Sequence, residues 1–198
     1  MNQPKQIKNA LISVFNKDGL DALAKQLNKL NINIYSTGGT EKFISNLNIT
    51  VTKVEDITGF PSILGGRVKT LHPNVFGGIL SRRNNESDQK ELEEYQIQQF
   101  DLVVVDLYPF EKTVKEDNSH QEIIEKIDIG GISLIRAAAK NFNDVLVVSS
   151  KNQYSKTLEI LKNQGGTTSI ELRKKFASEA FNISSHYDTT IFNYLNDE

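Results

Sequence analysis

The sequence lacks several features that would place it in common functional classes. Its 198 residues include no cysteine, which excludes disulfides and thiolate metal sites, and only three histidines, with no His-Glu-x-x-His-like pair. The first ten residues hold no apolar signal core, and wholly apolar runs such as residues 102–105 are far too short to span a bilayer. We therefore expect a cytoplasmic protein with no membrane association and no bound metal.

The charges of the chain nearly balance, with 23 Lys and Arg against 25 Asp and Glu and a net charge of −2. A general polyanion-binding surface is therefore not expected, which argues against a nucleic-acid partner but leaves room for a local basic pocket. The length is sufficient to bury a core, and we predict a single domain over residues 1–198.

Short β-rich apolar runs alternate with amphipathic helical patterns. Strands are predicted at 10–14, 32–36, 50–54, the start of 101–110, and 145–149. Helices are predicted at 18–30, 40–47 with Thr40 as N-cap, 87–100, about 119–126, 132–140 and most of the last 50 residues, whereas 56–80 shows no clear period. The alternation predicts an α/β fold with a mainly parallel sheet and helices on both faces, in which ligands lie at the carboxyl ends of the strands.

Two strand-to-helix turns carry the residue types of a phosphate site. The run Ser-Thr-Gly-Gly-Thr at 36–40 offers free amides, a helix N-terminus and the hydroxyls of Ser36, Thr37 and Thr40. The preceding turn offers Ser13 and Lys17 at the equivalent sheet edge, so one phosphate could be held by both turns. An ordinary glycine turn and a solvated lysine are the alternative interpretation of these two segments.

Two further segments hold candidate polar groups. In the run Gly-Gly-Arg-Val-Lys-Thr-Leu-His-Pro at 65–73, an extended backbone would point Arg67 and Lys69 the same way, toward an anion or a substrate carbonyl. Tyr108 follows the strand with the clearest pattern, where a parallel sheet presents ligands. A solvated basic loop, and a tyrosine packed under a turn, are the alternatives.

Residues 127–141 contain one acid, Asp128, and two cations, Arg136 and Lys140, on either side of the glycine pair Gly130 and Gly131. Asp128 could cap the helix that follows, and Lys140 suits its C-terminal end. A substrate shared by these two residues is the second interpretation. Because a straight helix over residues 132–140 is about 12 Å long, this would require the Gly-Gly segment to fold back along it.

Several of these runs occur together in one known family. The segments STGGT, TGFPSILGGRVKTLHP, LYPF, IDIGG and RAAAKN, and the ending AFNISSHYDTTIFNYL, stand in the order and approximate spacing of the N-terminal IMP cyclohydrolase domain of the bifunctional purine-biosynthesis enzyme AICAR formyltransferase/IMP cyclohydrolase. Residues 8–195 of this chain resemble that family, and the long GGRVKTLHP run is the most specific part of the resemblance.

The resemblance implies a methylglyoxal-synthase-like fold and the last step of de novo purine biosynthesis. In that step 5-formamidoimidazole-4-carboxamide ribotide closes its ring to inosine monophosphate and loses water, with no cofactor or metal. The formyltransferase half of the family's enzyme lies outside these residues, so the resemblance implies that it acts in cis in a longer chain or in trans. It also implies a homodimer.

The resemblance assigns roles residue by residue. The catalytic set is Lys69, Tyr108, Asp128 and Lys140, in which Asp128 acts on the amide proton and Lys140 on the formyl oxygen. The substrate and phosphate set is Ser13, Lys17, Ser36, Thr37, Gly38, Gly39, Thr40, Arg67, Thr70, Asp106 and Gly130. Asp106 departs from the family's usual Asn and, as an ionised carboxylate, cannot donate a hydrogen bond. The alternatives are a non-catalytic phosphate-binding regulatory module of the same fold and a methylglyoxal synthase, against which the GGRVKTLHP run argues.

Overall fold

A computed structural model describes residues 4–116 and 118–196. The strands in this part of the chain are β1 (Lys5–Gln6), β2 (Asn9–Ser13), β3 (Asn33–Ser36), β4 (Thr52–Lys53), β5 (Leu102–Val105), β6 (Leu146–Val148) and β7 (Thr167–Thr168). The helices are α1 (Leu20–Lys29), α2 (Gly38–Ser45), α3 (Val54–Thr58), α4 (Pro73–Leu80), α5 (Glu86–Glu94), α6 (Phe110–Lys115), α7 (His120–Ile124), α8 (Gly130–Lys140), α9 (Tyr154–Gln164) and α10 (Ile170–Asn196), with short 3-10 turns at Leu64–Gly66 and Lys151–Gln153.

Five strands form a parallel sheet in the order β4-β3-β2-β5-β6, and β1 pairs with β7 in a separate antiparallel ribbon. In the register, Ile12 lies beside Ser36, and Ser13 lies beside Val105. The carboxyl ends of β2, β3 and β5 therefore meet at one edge, and the turns that follow these strands share the space beyond it.

The central strands are covered on both faces. Leu11 and Ile12 on β2, and Val103 and Val104 on β5, have no exposed surface. Because consecutive side chains of a strand point to opposite faces, helices must cover both sides of the sheet. Each such side chain contributes about 1.5–3 kcal/mol through burial. The predicted α/β class with a mainly parallel sheet is confirmed.

The long C-terminal helix α10 packs on α8 and β6. Near its start the guanidinium of Arg173, which is 1% exposed, donates to the carbonyl oxygens of Phe142, Asn143 and Thr168. These bonds fix α10 to the loop that follows α8. In the described part of the chain, no helix combines the length and the apolar character needed to cross a membrane.

Several predicted element bounds were wrong. Helix α2 begins at Gly38, so Thr37 is its N-cap residue and Thr40 lies in its first turn. The helix predicted at 87–100 ends at Glu94, because Gln96 adopts a left-handed backbone and the chain turns there. Segment 56–80, in which no period was found, contains α4, whose first residue is a proline preceded by the capping side chain of His72.

Candidate active site

A cavity of about 650 Å³ lies at the carboxyl ends of β2, β3 and β5. Five segments line it: the turn after β2, the turn after β3, residues 65–70, residues 106–108 and residues 124–131. It contains most of the side chains singled out from the sequence, namely Ser13, Lys17, Thr37, Thr40, Arg67, Lys69, Thr70, Asp106, Tyr108 and Asp128, together with the backbone of Gly39 and Gly130. These segments are far apart in the sequence, and the sheet brings them together.

The glycine turn after β3 presents the start of α2 to this cavity. Gly38 has a φ of 56°, in the left-handed region that favours glycine, and Thr37 is extended with a φ of −138°. The hydroxyl of Thr40 donates to the carbonyl oxygen of Val14 at 2.9 Å and accepts from its N–H at 3.1 Å. Thr40 therefore ties the two turns together, so that both face one ligand position.

Ser36 does not take part in the cavity. Its hydroxyl donates to the carbonyl oxygen of Ile12 at 2.6 Å, and the side chain is fully buried in the sheet. The prediction that three hydroxyls of this turn face a phosphate was therefore wrong for Ser36. As the last residue of β3, it points into the sheet rather than past its edge.

Two lysines reach the glycine turn from different segments. The ammonium of Lys17 donates to the carbonyl oxygens of Val14 and Phe15 at 2.7 and 2.8 Å. The Nζ atom of Lys69 lies 3.6 Å from the position that a Cβ would take on Gly38. Burial lowers the pKa of Lys17, the nearby Lys69 lowers it further, and Asp106 opposes both. The Nζ atom of Lys17 lies 4.0 Å from the position of a Cβ on Gly39, so both cations lie next to the glycine turn.

Asp106 holds the turn after β2. Its carboxylate accepts from the backbone N–H of Phe15 and, at 2.9 Å, from that of Asn16. Desolvation raises the pKa of Asp106, and these two N–H groups and Lys17 oppose the shift. Asp106 was expected in the substrate-contact set. In the structure both of its oxygens are occupied by the backbone next to Lys17, so its main contact is the turn itself.

Asp128 folds over the start of α8. One carboxylate oxygen accepts from the N–H of Gly131 at 2.6 Å. A Cβ on Gly131 would lie 2.6 Å from the other carboxylate oxygen, so only glycine permits this approach. Desolvation raises the pKa of Asp128, while the backbone N–H groups of Gly131 and Tyr108 oppose it. Gly131 thus lets the carboxylate of Asp128 lie close to the first turn of α8.

Tyr108 lies beside this carboxylate. Burial is the main cause that raises the pKa of its phenol, and the nearby negative charges of Asp128 and Asp106 raise this pKa further. Its ring contacts Phe15 edge-on, at 5.2 Å between centroids, and the ammonium of Lys126 lies 5.8 Å from the ring centroid. Tyr108 therefore stays a neutral hydrogen-bonding group across the physiological pH range.

Some residues of the basic run at 65–73 line the cavity, and others stabilise the fold. Arg67, with 66% of its side chain exposed, pairs with Glu125 at the cavity rim. Thr70 is buried, and its Oγ1 lies 3.3 Å from the position of a Cβ on Gly130. The ring of His72 accepts from the N–H of Asn74 at 3.1 Å and caps α4, so it serves the fold.

The structure does not bring Lys140 to the cavity. Lys140 ends α8, whereas Asp128 precedes its start, and 11 helical residues extend about 16 Å. Its side chain lines a separate groove with Phe76, Phe142 and Phe181. The interpretation in which Asp128 and Lys140 share one site is not met in this chain, because Asp128 folds onto the first turn of the helix and not back along it.

Two charged lining residues had no signal in the sequence. Glu125 and Lys126 lie in a short loop after α7, where charged residues are ordinary. Among the described residues, no group of His, Asp and Glu is arranged to hold a metal ion.

Two family models match the chain. The model described as an MGS-like domain matches residues 19–133, and the model described as the AICARFT/IMPCHase bienzyme matches residues 138–198. The first match covers more than half of the chain. The chain belongs to the MGS-like domain family. The second match begins inside α8 and includes all of α10, so it lies outside the MGS-like region.

This MGS-like domain is similar to several curated proteins. It is 56% identical over 195 residues to the "Bifunctional purine biosynthesis protein PurH" of Bacteroides thetaiotaomicron, covering 98% of this chain and 38% of that protein. It is 53% identical to the protein of the same name from Prochlorococcus marinus, covering 94% of this chain and 36% of the relative. The chain thus spans less than two fifths of the length of these relatives.

A solved structure agrees with this assignment. The chain described as "Crystal structure of ForH" superposes with a TM-score of 0.80 at 36% identity, covering 93% of this chain and 97% of that chain. The MGS-like domain of this chain therefore has the fold of a solved relative along nearly its whole length.

Proposed function

We propose that this chain is an IMP cyclohydrolase that converts 5-formamidoimidazole-4-carboxamide ribotide to inosine monophosphate. The observation that carries the proposal is one cavity in which the Asp128 carboxylate lies beside Tyr108, near Lys69 and the glycine turn. The printed names of the relatives, which refer to purine biosynthesis, and the match to the AICARFT/IMPCHase model support the same reaction.

The glycine turn would hold the ribotide phosphate. A phosphate monoester carries about −2 charge near neutral pH, and the ammonium of Lys17, beside Gly39, supplies positive charge to balance it. The N-terminus of α2 adds backbone N–H groups and the positive end of its dipole. The cavity of about 650 Å³ suits a ligand of nucleotide size.

The reaction forms one new C–N bond, converts the bond between the formyl carbon and the formamido nitrogen into a C=N double bond, breaks the bond to the formyl oxygen and releases one water molecule. The carboxamide nitrogen attacks the formyl carbon and gives up one proton. The formamido nitrogen gives up another, and the formyl oxygen leaves with both as water. An amide nitrogen is a poor nucleophile, so the site needs a base, a group that stabilises negative charge on the formyl oxygen, and a proton donor.

The residues of the cavity can supply these functions. Asp128 is the base, because desolvation raises its pKa and so strengthens it as a proton acceptor. Lys69 and the N–H of Gly130 stabilise the formyl oxygen, Lys69 donates a proton to this oxygen as it leaves, and the phenol of Tyr108 orients the carboxamide. The positive charge assigned by resemblance to Lys140 thus comes from Lys69 and the helix N-terminus. Since the closure is intramolecular, positioning supplies much of the acceleration.

The deciding experiment is direct turnover. Purified chain is mixed with the formylated ribotide, without metal or folate, and inosine monophosphate is followed by chromatography. We expect conversion by the wild type, a loss of about 100-fold or more in kcat for Asp128→Asn, and weaker ribotide binding for Lys17→Met. Lys162→Met, at an exposed position of α9, is the matched control. Ribotide binding without any conversion would contradict the proposal and favour the regulatory module.

We further propose that a formyltransferase supplies the substrate, either in the remainder of a longer chain or as a separate protein. The support is that the relatives are called bifunctional and extend well beyond this region. Action in the cytoplasm, a homodimeric state and independence from cofactors stay predictions of the resemblance.

A further inference from the structure

The hydroxyl of Tyr187 bridges two backbone groups of the segment that carries Asp128. It donates to the carbonyl oxygen of Lys126 at 2.8 Å and accepts from the N–H of Asp128 at 2.8 Å. The side chain is 8% exposed, so bulk water has little access to these bonds. One oxygen atom therefore fixes the backbone on both sides of Ile127, immediately before the carboxylate.

The ring of Tyr187 contacts the other segment of the proposed reaction centre. It packs edge-on against Phe110, with 6.1 Å between the ring centroids. Phe110 begins α6 two residues after Tyr108, and the backbone N–H of Tyr108 faces the Asp128 carboxylate. A single side chain thus contacts both segments, the one that follows Tyr108 and the one that carries Asp128.

Tyr187 comes from outside the region that matches the MGS-like domain. It lies on α10, within residues 138–198, whereas the cavity residues lie before residue 133. The buried Arg173 fixes the start of this helix by hydrogen bonds to the loop after α8, and α10 packs against α8. One hydroxyl of this packed helix thus reaches the carboxylate loop.

We propose that Tyr187 is a positioning residue, which holds the backbone of residues 126–128 so that the Asp128 carboxylate meets the substrate. This inference rests on the proposed cyclohydrolase function, in which Asp128 touches the reacting amide. Tyr187 itself does not line the cavity and takes no part in proton transfer.

Tyr187→Phe removes the bridging oxygen and keeps the ring. Tyr154→Phe is the matched control, because Tyr154 is also a buried tyrosine on a helix, and its hydroxyl has no hydrogen-bond partner among the described residues. We expect Tyr187→Phe to lower kcat by about 10- to 100-fold while KM changes by less than about 3-fold. Amide hydrogen exchange at Asp128 should become faster, and Tyr154→Phe should leave kcat, KM and this exchange unchanged.

Three results would overturn the inference. The first is an unchanged kcat in Tyr187→Phe, and the second is an equal loss of kcat in Tyr154→Phe. The third is loss of the folded state in Tyr187→Phe, which would assign the hydroxyl to stability alone.

A wild-type chain without turnover refutes the proposed function. In that case amide hydrogen exchange at Asp128, with and without inosine monophosphate, still tests the positioning role. If this exchange is as slow in Tyr187→Phe as in Tyr154→Phe, the positioning role of Tyr187 is refuted.

Discussion

At the scale of single residues, the environment of Asp128 sets the pH at which it can accept a proton. Desolvation raises its pKa above the ordinary value of 3.8, and the N–H groups of Gly131 and Tyr108 limit the rise. As pH falls through the raised pKa, the carboxylate is protonated and the base is lost. We therefore expect the acid limb of kcat/KM above pH 3.8, as measured by a pH–rate profile.

The same shift affects the free energy of unfolding. Because the folded chain holds this proton more tightly than the unfolded chain, the contribution of Asp128 to stability falls as pH rises from 3.8 through the raised pKa. Thermal unfolding of Asp128→Asn should lack this dependence. In the pH–rate profile, an acid limb of kcat/KM that persists in Asp128→Asn would assign that limb to the titration of another group, such as Asp106.

Asp106 shows why a residue type alone does not define a role. The sequence suggested a lost substrate contact, because a carboxylate cannot donate the hydrogen bond that an amide can. In the structure a carboxylate is well suited to its place, since its oxygens accept from the backbone N–H groups of Phe15 and Asn16. The partner that explains Asp106 lies about 90 residues away in the chain.

At the scale of elements, α8 combines a favourable helix with a constraint at its second residue. Ala in place of Gly131 would favour the helix by about 1 kcal/mol. However, its Cβ would lie 2.6 Å from the Asp128 carboxylate and displace it. We expect Gly131→Ala to keep the fold and lower kcat by about 10-fold or more.

Gly77→Ala is the matched control, because Gly77 is a helical glycine of α4 outside the cavity, and its Cβ would meet only the flexible side chain of Ile97, at 3.1 Å. Circular dichroism would check the fold of both variants, and steady-state kinetics would compare their turnover. Equal turnover in the two variants would contradict the role given to the carboxylate position.

The elements with strong periodicity were predicted well, and those without it were not. The buried strands and α1 were placed within two residues of their observed ends, because the strands are short continuous apolar runs and the leucines of α1 repeat with a helical period. Helices α3, α4 and α6 were missed. Each is short, and α4 and α6 begin at or just after a proline.

At the scale of the whole molecule, the cavity and the Lys140 groove lie at opposite ends of α8. We therefore expect Lys140→Ala to retain turnover close to that of the wild type when both are assayed with the formylated ribotide. A large loss of kcat in Lys140→Ala would mean that this lysine reaches the cavity of another copy of the chain. Turnover measured in mixtures of Lys140→Ala and Asp128→Asn would then recover.

The sequence by itself determined the α/β class, the strand ends that carry polar turns, and most of the residues that line the cavity, because these depend on local periodicity and on turn chemistry. The tertiary structure alone decided which side chains meet. In the folded chain Ser36 bonds within the sheet, and Asp106 accepts from the turn after β2. Lys140 and Asp128 are separated by the length of a helix, and the hydroxyl of Tyr187 bonds to the loop that carries Asp128. The physical reason is that hydrogen-bond partners far apart in sequence are fixed by packing of the sheet and helices, which leaves no periodic pattern in the chain.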